Sequence, residues 1–150
     1  MKVITKSPYE PLDVEIGNIV ISCMINLTPN NLIKLSEECN KVREEVNRAA
    51  DRARKAEANR DTKALKKAND SLAECMETPI KTAIGDEGYK HIYEACKATK
   101  PSDCNMVFLQ VFLAIANEVA TRNTTLESNS KMAHYLQGVD DAPTIAYPGI

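Results

Sequence analysis

TPNNLIKLSEECNKVREEVNRAADRARKAEANRDTKALKKANDSLAECMETPIKTA, residues 28–83, decides the fold. Leu32, Leu35, Cys39, Val42, Val46, Ala49, Ala53 and Ala56 follow one another at alternating spacings of three and four. That is the pattern of a long helix with one apolar stripe, packed against a partner helix at a shallow angle. Thr28 before Pro29 is a start signal, because the hydroxyl can cap free amides and proline at the first helical position forfeits no hydrogen bond. A helix from Pro29 to about Ala58 would be about 45 Å long at 1.5 Å per residue. The stripe tapers from leucine to alanine, which predicts closer approach of two backbones at the far end. Asn59-Arg60-Asp61-Thr62 supplies a turn and a new cap, after which Leu65, Ala68, Leu72, Cys75, Met76, Ile80 and Ala83 form a second stripe. So short a connection makes the two helices antiparallel neighbours. Pro79 predicts a kink or restart in the second, with Thr78 capping the restarted helix, and Gly85 after Ile84 predicts its end.

Working outward, residues 12–25 (LDVEIGNIVISCMI) are rich in β-branched side chains and divided by Gly17-Asn18, a pair suited to a two-residue hairpin turn. Strands are expected over 12–16 and 19–25, behind an extended lead-in at Ser7–Pro11. On the other side, Asp86 opens a short helix with Tyr89, Ile92, Tyr93 and Cys96 as its apolar set. Lys100-Pro101-Ser102 breaks the chain again, and a last helix is predicted from about Ser102 to Arg122. That helix is apolar on nearly every side from Met106 to Ala116, which places it at the centre of a bundle. From Asn123 the periodicity fails, so residues 123–150 read as a mobile tail with a short helical piece near Lys131–Gln137. The fold class is therefore mainly α: a long antiparallel helical hairpin plus two further helices (28–122), behind an arm with a short β-hairpin (1–27).

The composition agrees. Of 150 residues, 43% are hydrophobic and 27% charged, the profile of a globular protein, while no Trp, two Phe and five Gly argue against a β-sandwich or a nucleotide-binding α/β domain. The net charge of −2 hides an asymmetry: residues 41–70 hold ten basic and six acidic residues, leaving nine basic and fifteen acidic elsewhere. Cys23, Cys39, Cys75, Cys96 and Cys104 are widely spaced and form no Cys-x-x-Cys pair, so neither a disulfide framework nor a zinc site is expected. That usage suits a reducing cytoplasm, and the charged first residues do not read as a signal peptide. The longest apolar run, Met106–Ala116, is about half the roughly 20 residues that cross a bilayer, so it reads as a buried helix.

Residues with chemical potential are few. His91 and Glu94 could share a helix face, but Cys96 points elsewhere and further ligands are missing, so no metal site is expected. No phosphate loop, nucleophile elbow or paired-acid constellation is present, and Asp86 and Glu87 between Gly85 and Gly88 would repel a phosphate; no cofactor is implied. Arg48, Arg52, Lys55, Arg60, Lys63 and Lys67 form a basic tip on the predicted hairpin. Glu45, Asp51, Glu57 and Asp61 fall within i±3 or i±4 of many of these cations, which predicts a solvated, salt-bridged surface before a protein-docking surface or a nucleic-acid contact.

The hairpin ending in LTPNNLIKL, the charged helical pair, the break IGDEGYKHIYEAC and the apolar helix NMVFLQVFLAIANEVATR together resemble the small tail-assembly chaperones of long-tailed phages and prophages. The likeness spans residues 12–122 and rests on the order of elements. It implies an all-helical, non-enzymatic protein that coats the tape-measure protein, a long helical chain, during tail assembly in the bacterial cytoplasm and then leaves. A frameshifted longer product often accompanies such proteins. The expected partner-binding residues are Met106, Phe108, Leu109, Phe112, Leu113 and Ile115, together with Leu32 and Leu35 of the hairpin seam. The breadth of the apolar helix also suggests a homo-oligomer. No membrane partner is expected. The alternative is a nucleic-acid-binding or regulatory protein using the basic tip, residues 41–70; a small enzyme built on His91 and Cys96 is a third reading.

Overall fold

A computed structural model describes the backbone of residues 1–140 and the side chains of residues 1–123. The chain is mainly helical, with a two-stranded antiparallel hairpin at its N-terminal end. Strands β1 (Tyr9–Ile16) and β2 (Ile19–Asn26) pair so that Ile16 faces Ile19 across a two-residue turn. Gly17 has φ +60, whereas Asn18 keeps a negative φ, the sign pattern of a type II′ turn. Leu12, Val14 and Ile16 on one strand and Ile21, Cys23 and Ile25 on the other turn towards the core, as the period of two requires. The strand begins at Tyr9, so part of the expected lead-in belongs to the sheet.

Helix α1 (Pro29–Ala58) has the predicted bounds. Its buried residues, Leu32, Leu35, Cys39, Val46, Ala49 and Ala56, lie on the predicted stripe. Thr28 does not cap the helix as expected: its hydroxyl donates to Asn26 Oδ1 at 2.8 Å and is committed there. The C-terminus closes as a Schellman motif, with Asp61 N–H on the Ala56 carbonyl at 2.9 Å, Arg60 N–H on the Glu57 carbonyl at 3.1 Å, and Arg60 at φ 53. Asp61 then caps α2 (Thr62–Ala95) by accepting from Ala64 N–H at 3.1 Å. Thr82 Oγ1 donates to Glu38 at 2.9 Å and Cys75 Sγ to Glu45 at 3.6 Å, so numbers fall on one helix as they rise on the other and the pair is antiparallel.

The expected kink at Pro79 is absent. Pro79 is buried within continuous helix, Thr78 caps nothing, and the dihedral break falls at Gly85, with φ 81 and ψ 166. Proline forfeits one hydrogen bond and leaves its neighbours helical, whereas that φ/ψ pair lies in a region essentially reserved for glycine and reverses the chain. The reversal is visible in contacts: Lys81 Nζ lies 5.0 Å from the Tyr89 ring centroid, and Lys100 pairs with Asp70 at 3.8 Å. Residues 86–95 therefore run back along the first part of α2, as the separate short helix expected there.

A 3₁₀ turn at Pro101–Cys104 leads into α3 (Asn105–Asp140). α3 continues beyond the Arg122 end suggested by the sequence. The tail expected over 123–150 otherwise falls largely outside the described side chains, and residues 141–150 lie outside the described residues altogether. One core joins all elements: Val14, Ile25 and Leu27 from the hairpin, Leu35 from α1, Met76, Ile80 and Ile92 from α2, and Phe108, Phe112 and Ile115 from α3. Phe108 stacks on Tyr89 with centroids 4.7 Å apart and planes 5° from parallel, the offset arrangement that aromatic quadrupoles favour.

Gly85→Ala should destabilise the fold by about 1–3 kcal/mol, because a Cβ forces strain at that φ although nothing lies within contact of it; urea unfolding measures this, and an unchanged midpoint would contradict the role given to Gly85. Burial also pushes the thiols of Cys39 to about 11 and Cys104 to about 12, from 9.0, and the Tyr89 hydroxyl to about 12, from 10.0. Each raised value favours the protonated form in the folded state, so stability is complete below pH 9.0 and is lost as pH climbs towards 12. Thermal melts under reducing conditions should be flat from about pH 7 to 9 and fall steadily above that range.

Candidate functional site

A catalytic constellation needs several converging titratable groups, and among the described residues His91 has an ion-pair contact with Glu87 alone. It is exposed and lies 3.8 Å from Glu87 on its own helix, rather than pairing with Glu94. Cys96 instead neighbours Cys104, whose thiol is pushed up first by burial and then by Cys96. Among the described residues no three His, Cys, Asp or Glu side chains gather as a metal site.

Two surfaces remain. The first is on α3, where the fold divides the residues expected to bind a partner. Phe108, Phe112 and Ile115 are buried in the chain's own core, as are Leu32 and Leu35. They fill the interior beneath α3 and cannot be offered without opening the fold. Met106 and Leu113 point outwards, 75% and 54% exposed, and Leu109 is half-buried between them. The sequence places α3 at the centre of a bundle, and in the structure one side of it stays exposed. Two long helices, a short returning one and a hairpin cover one face of it, leaving Met106 and Leu113, seven residues apart, outward, while Leu109 between them packs partly on the core. The segment Pro101–Asn123 is long and apolar enough by composition to cross a membrane, its most apolar 18-residue window having a mean hydropathy of 1.4, but 44% of that window is buried within the fold.

The end of this face is held by a polar knot. Arg122 donates to Glu118 at 3.0 Å, to the Ser7 carbonyl at 2.8 Å and to Glu10 at 3.4 Å, while Lys6 reaches Glu118 at 3.5 Å. Burial alone would raise the Glu118 carboxyl, but the hydrogen bond from Arg122 and the charges of Lys6 and Arg122 outweigh it and hold it below its ordinary value. Asn123 Nδ2 donates to Ser36 Oγ at 2.8 Å. The N-terminal arm, α1 and α3 are therefore tied together at one point. Sequence reading missed this knot because its members come from three distant stretches of chain, around Ser7, Ser36 and Arg122, with no periodic signal linking them.

The second surface is the hairpin tip. Arg48, Arg52, Lys55, Arg60, Lys63 and Lys67 are all exposed there, as expected. The predicted lacing of salt bridges is not found. Among the described residues, the only ion pair with both partners inside 41–70 is Arg54 with Asp51. Glu45 accepts from Cys75 and Asp61 is occupied in capping α2, which withdraws two of the acids counted as partners. The alanine taper, expected to draw the backbones together, does not seal this end: a cleft of about 350 Å³ lies there, lined by Ala56, Ala64 and Ala68 together with Arg52, Lys55 and Lys67.

Comparison with protein-family models, curated proteins and solved structures found no match to this chain.

The division of α3 into two faces sets a direct contrast. Phe112→Ala should cost about 3–5 kcal/mol through lost burial and the cavity left behind. Leu113→Ser, one residue on, should change stability by less than about 0.5 kcal/mol. Chemical denaturation of the two variants measures both, and a large loss for Leu113→Ser would mean that its side chain is covered.

Proposed function

We propose that this protein is a non-enzymatic tail-assembly chaperone of the long-tailed phage kind, which holds a long helical tape-measure-like partner in the bacterial cytoplasm. The observation that carries this reading is the exposed pair Met106 and Leu113 on α3, with Leu109 half-buried between them. Exposed apolar side chains at i and i+7, two turns apart on one helix face, fit the spacing with which an amphipathic helix presents its anchors. A partner helix laid along them would bury surface that this fold leaves in water, at about 25 cal/mol per Å². Contact of that kind is reversible, because the exposed pair is small and lacks buried polar anchors. Without a partner the same face can seat a second copy of the chain, which accounts for the homo-oligomer expected from the sequence. In this reading α3 is the core helix of a folded domain, and its exposed face serves a protein rather than a lipid surface.

Co-expression with a long helical tape-measure-like chain, sought in the reading frame after its own gene, tests the proposal. The expected result is a soluble complex recovered by affinity capture. Leu113→Glu should abolish that complex while leaving the melting temperature within a few degrees of the parent. If no complex forms and the partner's solubility is unchanged, or if Leu113→Glu binds as well as the parent, the proposal fails.

A further inference from the structure

The cleft at the hairpin tip has no part in holding a helix on α3, and its chemistry is different. α1 brings Arg52 and Lys55 to it, and α2 brings Lys67 from the opposite wall. None of the three enters an ion pair among the described residues. The one acid in the lining, Asp61, already accepts from the Ala64 amide at 3.1 Å, which engages its carboxylate in the cap of α2. Asn59 and Ser71 add neutral hydrogen-bonding groups to the same walls. Three cations against one carboxylate leave the lining at net +2, gathered with the alanines around one cleft rather than spread over a convex surface.

We propose that this cleft is a binding site for a small phosphate monoester, recognised through its phosphate. A monoester carries a charge of about −1.5 to −2 at neutral pH and three strong acceptor oxygens, which matches the charge and the donors of the lining. Arginine offers a planar fork for two of those oxygens, and the lysines supply point charges from both walls. A singly charged carboxylate would leave half of the excess charge unanswered. The volume of about 350 Å³ is near the lower end of small-ligand sites, enough for the phosphate and a compact group attached to it. No aromatic side chain lines the cleft, so it has no platform on which a nucleobase would stack.

Amide chemical-shift titration of the full chain with ribose 5-phosphate, and separately with inorganic phosphate, at constant ionic strength tests the site. Saturable shifts confined to residues 52–71 are expected with both. Arg52→Gln and Lys67→Gln should each weaken binding by about tenfold, the loss of one charge-assisted contact. Lys63→Gln, an exposed cation of the same tip outside the cleft, should leave it unchanged; all three positions are exposed, and circular dichroism verifies that each variant folds. Absence of saturation with either compound overturns the proposal. So does an equal loss in Lys63→Gln, which would mean a diffuse basic surface. Saturable binding of a single-stranded oligonucleotide without binding of the two monoesters would likewise overturn it and assign the tip to a phosphodiester chain. Loss of these shifts in Arg52→Gln with Leu113→Glu unaffected separates this site from the helix-binding face of α3.

Discussion

The reversal at Gly85 is the constraint on which the rest of the structure depends. A dihedral pair of φ 81 and ψ 166 turns α2 back on itself and lays residues 86–95 along the helix they have just left. Only that reversal brings Tyr89 beneath Lys81 and Ile92 into the core, and it creates the aromatic surface on which Phe108 stacks. It also leaves the carbonyls of the preceding turn without partners on the helical ladder. One of these, on Thr82, accepts from Asn31 Nδ2 at 3.0 Å, while the same amide donates to the Asn26 carbonyl at 2.7 Å. A single side chain thus ties the end of β2 and the start of α1 to the break in α2.

Polar groups at element boundaries fix the arrangement that burial alone would leave sliding. Hydrophobic contact is non-directional, so helices with smooth apolar stripes have many nearly equivalent registers. Asn31 removes that freedom at the Gly85 corner. Asn105, buried at the start of α3, donates to the Asn69 carbonyl at 2.8 Å and sets where α3 begins along α2. Arg122 closes the other end of α3 against the N-terminal arm through three acceptors. Each is a directional bond made from a buried or half-buried position, where an unmade bond costs about 1–3 kcal/mol.

The same division explains which features are legible in the sequence. Helix α1 was legible to its last residue because its stripe, its Pro29 start and the turn after Ala58 all agree. The β-hairpin was legible because Gly17-Asn18 separates two runs that alternate with a period of two. Pro79 misled because proline restrains only local backbone, and a helix can carry one where neighbours pack around it. The salt-bridged tip misled for a related reason. Spacing along a helix places acids and bases within reach of one another, but Glu45 and Asp61 are engaged elsewhere, by Cys75 and by the cap of α2. The partner residues expected on α3 fall on both of its faces: hydrophobicity marks Phe112 and Leu113 alike, and only the neighbours decide which is covered.

The sequence by itself determined the elements, their order and the antiparallel pairing of α1 with α2, because periodicity, caps and short turns are local properties of the chain. It also determined that a basic end and an apolar helix would exist. Tertiary structure decided which face of α3 remains in water, that the alanine end of the hairpin opens as a cleft whose cations have no ion-pair partner among the described residues, and which polar side chains lock the registers. These outcomes depend on residues brought together from far apart in the chain, such as Asn31 with Thr82 and Lys55 with Lys67. Local pattern carries no record of such distances.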